Sequence, residues 1–160
     1  DGGINMEQIN DLYIILNEFT EIYDSFIKIE YDKYNSIITD DIKTLDEIIS
    51  KEQVFYLKMK GLEQRLDKFL NSMDMKDKTL KQIIDLAKEE YSSKLKLIYD
   101  KLLKLINDFK KINKEIKTLI EVRLHKIDKA MSELGEKKNT YSNINSPKDN
   151  LKSLIVSKKI

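Results

Sequence analysis

The apolar residues Tyr91, Leu95, Ile98, Leu102, Leu105, Phe109, Ile112, Ile116 and Leu119 are separated by steps that alternate between four and three. That spacing is a coiled-coil seam on a helix; a strand, whose side chains change face at every residue, cannot present it. Near Leu119 the seam moves by one position and continues through Ile120, Leu124, Ile127, Met131 and Leu134. A straight helix drifts against a strict heptad, so the step changes the face, and with it the partner, that the end of the helix addresses. A helix over Tyr91–Leu134 spans roughly 66 Å at 1.5 Å per residue, and so long a seam needs other helices to cover it.

The rest of the composition agrees with helices packed along seams. Charged residues make up 36% of the 160-residue chain, with four Gly and one Pro, which predicts an all-α, elongated antiparallel bundle of three long helices plus a short C-terminal amphipathic helix. The net charge of +1 singles out no polyanionic partner, but its distribution is uneven. Residues 1–60 hold 13 acids and 6 bases (−7), and residues 61–160 hold 15 and 23 (+8), so complementary halves favour antiparallel packing. Without Cys there is no disulfide or thiolate chemistry, and without an 18-residue apolar run nothing spans a membrane. These features are compatible with a cytoplasmic protein.

Asp1–Asn5 reads as a remnant ahead of a native start at Met6. A first helix over about 6–37 carries Ile9, Leu12, Leu16, Phe19, Tyr23 and Phe26, with Ile15, Ile22 and Ile29 widening its apolar face. Thr39-Asp40-Asp41 supplies a break and an N-cap. A second helix over about 41–73 follows, with Glu52 at its one charged seam position and Gly61 inside it, where a close helix approach is expected. After a turn at Asn71–Asp77, a lead-in continues into the long helix, about 78–135 in all, which forms an antiparallel hairpin with helix two. The bundle is thus assigned to 6–136, with Gly135 as its stop. A linker occupies 137–146. The last segment, 147–160, opens on Ser146-Pro147 with an acid at Asp149, a strong helix start that presents Leu151, Leu154 and Ile155. So short a helix is marginal alone in water and needs a surface to dock on, in its own chain or, as a homodimer, in a neighbour's.

Catalytic patterns are missing. His125 is the only histidine, so paired Glu-x-x-His di-iron ligands cannot be assembled, and Glu121 beside it is a surface pair rather than a metal site. No phosphate-binding glycine loop or nucleophile elbow occurs, and no cofactor is implied. The lysines alternate with acids rather than aromatics, which argues against nucleic acid.

The order of these elements resembles the FlgN family of flagellar export chaperones. Asp40-Asp41-Ile42 matches the break of that family, Asn113 with Leu119-Ile120 its Asn/Leu-Ile signature, Thr140-Tyr141 its aromatic after the long helix, and Val156–Ile160 its basic-apolar tail. Ile116 stands where the family often has a second Asn, and Ser142-Asn143 replaces a frequent Gly. The resemblance implies binding of the C-terminal helical segments of the hook-filament junction proteins FlgK and FlgL, protection from premature assembly, and delivery to the export-gate protein FlhA. It places the substrate face on Leu119, Ile120, Leu124, Ile127, Met131 and Leu134 with the tail residues Leu151, Leu154 and Ile155, and gate docking on Tyr141. On this reading the 147–158 helix covers the end of the long helix as a stand-in until a client arrives. A self-associating coiled coil, or a helical chaperone for another client, shares the same physics.

Overall fold

The computed structural model describes residues 3–135 and 159–160. It contains α1 (Met6–Ile38), α2 (Ile42–Ser72), α3 (Leu80–Asp85) and α4 (Glu89–Glu133), with no strand among the described residues. The three long helices are those expected; the C-terminal helix lies outside the described residues.

Local chemistry sets the helix ends. Asn5 opens α1 with a reciprocal capping box, its side chain accepting from the Gln8 N–H while the Gln8 side chain accepts from the Asn5 N–H. Just ahead of the helix, Ile4 is 4% exposed and packs in the core. Asp41 caps α2 by accepting from the Thr44 N–H and hydroxyl, at 3.1 and 2.7 Å. Asp40 and Asp74 take the left-handed conformation that ends α1 and follows α2. Gly135, also left-handed at φ +77°, follows the last turn of α4. The expected helical lead-in is α3, capped by Thr79, and Leu86–Lys88 turns the chain between it and α4, which begins at Glu89.

The helix directions follow from cross-helix contacts. Lys33 meets Glu52 and Arg65 meets Glu18, so α1 and α2 are antiparallel. Lys94 lies over the Tyr13 ring, Phe109 meets Tyr23 and Phe26, and Arg123 reaches Asp40, so α4 runs parallel to α1. α1 packs along both α2 and α4 and is the central helix. The expected hairpin of helix two with the long helix is therefore replaced by two interfaces that α1 shares. The physical reason is the wide apolar face of α1, which buries Leu12, Ile15, Leu16, Phe19, Tyr23 and Phe26 and serves two neighbours at once.

On α4 the buried line runs through Leu95, Ile98, Tyr99, Leu102, Ile106, Phe109, Ile112, Asn113 and Ile116. Ile106 takes the core place expected of Leu105, which is half-buried. Phe26 is the hub of an aromatic cluster, with ring centroids 4.6 Å from Phe109, 5.1 Å from Phe55 and 5.2 Å from Tyr56. Each edge-on pair adds about 0.5–1.5 kcal/mol beyond area burial. At Gly61 an added Cβ would meet nothing within 4 Å, so the expected close helix approach does not occur there.

Candidate functional site

The buried positions of α1 change character after Phe26. Toward the N-terminus they are Ile9, Leu12, Ile15, Leu16, Phe19, Thr20, Tyr23 and Phe26; beyond it they are Glu30, Lys33 and Ser36. Facing elements change with it: α2 contributes Ile48 and Glu52 at this end, and α4 contributes Ile112, Asn113 and Ile116. The bundle thus has a proximal half with a mainly apolar core, in which Thr20, Glu63 and Ser92 are the buried polar residues, closed by Leu80, Ile83 and Ile84 of α3, and a distal half built around a buried ion pair.

The distal polar groups are organised around one ion pair. Lys33 Nζ lies 3.1 Å from Glu52 Oε1, with about nine-tenths of each side chain buried. Glu52, the charged seam position of the sequence, is therefore a core residue with a partner. Glu30, fully buried, has its carboxyl pushed up to about 8: burial is the main cause, Lys33 opposes it, and the Glu52 carboxylate raises it further. Asn113 donates from Nδ2 to the Phe109 carbonyl at 2.9 Å. Buried ions are costly even when paired, so this half contributes less stability per buried side chain than the proximal one.

Above this polar layer α4 outruns its partners. Arg123 donates to Asp40 Oδ1 and to the Ile38 carbonyl, both at 3.0 Å, which fastens α4 to the turn between α1 and α2 and places a cation at the C-terminal end of α1. Residues 124–133 continue past that turn for about 15 Å at 1.5 Å per residue. Ile116 is the last buried residue of α4. Of the six residues expected to form a binding face, Leu119, Ile120, Leu124 and Met131 are half-buried, whereas Ile127 is 44% and Leu134 77% exposed.

An open groove of about 440 Å³ lies where the overhang leaves the bundle. Ile37, Ile42, Leu45, Ile127 and Ala130 give it apolar walls, and Asp40, Arg123 and Lys126 give it a polar edge. Ile42 is 71% exposed, directly after the α2 cap. Ile127 is the one expected residue that lines this groove. The sequence reading missed Ile37, Ile42, Leu45 and Arg123. The available signal was an isoleucine set immediately after an Asp cap, where no heptad partner requires it. Tyr141, Leu151, Leu154 and Ile155 lie outside the described residues. Among the described residues no three His, Asp or Glu side chains converge as metal ligands, and no helix is long and apolar enough to cross a membrane.

Among the described residues, the bundle ends in a helix whose apolar residues extend past its neighbours, and comparison with known families says what kind of protein carries it. The family model described as FlgN protein matches residues 6–152. The chain therefore belongs to the FlgN family, whose members are flagellar export chaperones and not enzymes. No match was found among curated proteins or among solved structures.

Proposed function

We propose that the α4 overhang and the adjoining groove are the client site of a cytoplasmic export chaperone, and that the clients are the C-terminal helical segments of FlgK and FlgL. The observation that carries this reading is the length mismatch: α4 extends past the α1–α2 turn with Ile127 and Leu134 exposed. An amphipathic client helix laid along the overhang would meet Ile120, Leu124, Ile127, Met131 and Leu134 at helical spacing, with Ile42 and Leu45 as the second wall. Covering the client's apolar face keeps it from assembling early. Delivery then follows from docking of Tyr141 on FlhA, with Leu151, Leu154 and Ile155 adding contacts from the tail.

Mass measurement with and without a FlgK or FlgL C-terminal segment tests the reading. The expected result is a complex of defined stoichiometry that forms only when the segment is added. The same exposed apolar face suits a second copy of the chain, so a self-associated species that ignores the segment would favour a homodimeric coiled coil and overturn the client assignment. Replacing Tyr141 with Ala is expected to weaken FlhA binding while leaving client binding and thermal stability unchanged.

A further inference from the structure

The last two residues of the chain sit far from the overhang. Ile160 packs against the proximal core, and its main-chain oxygen accepts from the Tyr99 hydroxyl at 3.1 Å. Lys159 Nζ donates to the Lys76 carbonyl and, at 3.4 Å, to the Lys78 carbonyl, both in the turn between α2 and α3. These carbonyls lie outside regular helix, where a cation can satisfy them without disturbing a ladder of hydrogen bonds. Tyr99 is 9% exposed, and burial, with Asp100 adding to it, pushes its phenol up, so the hydroxyl remains a donor.

We propose that Tyr99 and the 76–78 turn form a receptor site for the chain's own C-terminal Lys159-Ile160, anchoring the tail at the pole opposite the α4 overhang. One apolar side chain, one main-chain oxygen and one cation are each met by a complementary group, which distinguishes this site from non-specific collapse of a tail onto an apolar surface.

The anchor restricts what the tail can do. Along α4, Ile127 lies about 42 Å and Leu134 about 52 Å from Tyr99 at 1.5 Å per residue. Chain extending at most about 3.6 Å per residue limits Leu154 and Ile155 to about 22 and 18 Å from Ile160. With Ile160 docked on Tyr99, neither residue reaches Ile127 in the same chain. Within one chain, the expected stand-in role, in which the tail covers the overhang, therefore requires the anchor to open. The anchored state leaves the overhang free of Leu154 and Ile155 and withholds those residues from any helix bound there.

The absence of native cysteine allows a unique spin label at Ser157→Cys in the full chain. Backbone amides of 76–78 and 96–103 are expected to lose intensity through paramagnetic relaxation, while those of 124–134 do not. Adding Ile160→Asp is expected to abolish that loss, and Tyr99→Phe, which keeps the ring and removes only the hydroxyl, to reduce it. Intensity loss at 124–134, no loss at either pole, or a pattern indifferent to Ile160→Asp would overturn the anchor. The readout involves no client, so it stands or fails separately from the proposed client site.

Discussion

The two halves of this bundle are built from the same three helices and differ in what those helices place inside. In the proximal half, Leu12, Leu16, Phe19, Met59, Leu66, Leu70, Leu95 and Leu102 are fully buried, and α3 closes the end. In the distal half the equivalent α1 positions hold Glu30, Lys33 and Ser36, and α4 runs out past its neighbours. The comparison teaches that the scaffold and the proposed binding end are separable. Apolar burial secures one, whereas the other keeps apolar surface exposed and holds the Lys33–Glu52 ion pair in its core.

The largest test of that division is a pair of truncations. Phe109→Ala, at the aromatic hub where the halves meet, is expected to cost about 3–5 kcal/mol in denaturant unfolding. Ile127→Ala on the overhang is expected to stay within about 0.5 kcal/mol. Similar losses for both would mean that the overhang is structural core.

A smaller effect follows from Glu30. Its folded carboxyl titrates near 8 against an ordinary value of 4.5, so the folded state binds the proton more tightly. The associated stability is fully present below about pH 4.5 and is lost as pH rises through about 8, on the order of 5 kcal/mol at most across that window. Glu30→Gln keeps the shape and removes the proton, so its stability should be nearly flat over the same range. A wild-type profile that does not fall between pH 5 and 8 would remove the case for a strained distal core.

Smallest is Gly61→Ala. With open space around the added methyl, it should stabilise α2 by roughly 1 kcal/mol, seen as a raised denaturation midpoint with an unchanged slope. A loss of stability would mean that the proximal half packs more tightly around α2 than its geometry indicates.

Much of this division was legible in the residues, for identifiable reasons. The end of the seam near Leu119 was readable because a heptad step is a local property of the chain, and burial on α4 does stop at Ile116. The central position of α1 was present in Ile15, Ile22 and Ile29, but a widened face says only that a helix has more than one neighbour, not which ones. Glu30 and Lys33 were invisible to a pattern built from apolar spacing, since a polar residue at a core position reads as surface until its neighbours are known. Glu52 was noticed for the converse reason: it interrupts an otherwise apolar series. The groove was missed because Ile42 and Leu45 come together with Ile127 only across the α1–α2 turn, a tertiary relation that no periodicity encodes.

The division of labour proposed for this bundle has the end of α4 bind while the proximal core holds the fold. Its most direct measurement is calorimetric titration of a FlgK or FlgL C-terminal segment into the wild-type chain and into Ile127→Asp, with thermal unfolding of both followed in parallel. Unchanged unfolding is expected, with binding weakened about tenfold or more, equivalent to about 1.4 kcal/mol. Wild-type affinity in a normally folded Ile127→Asp chain would contradict it.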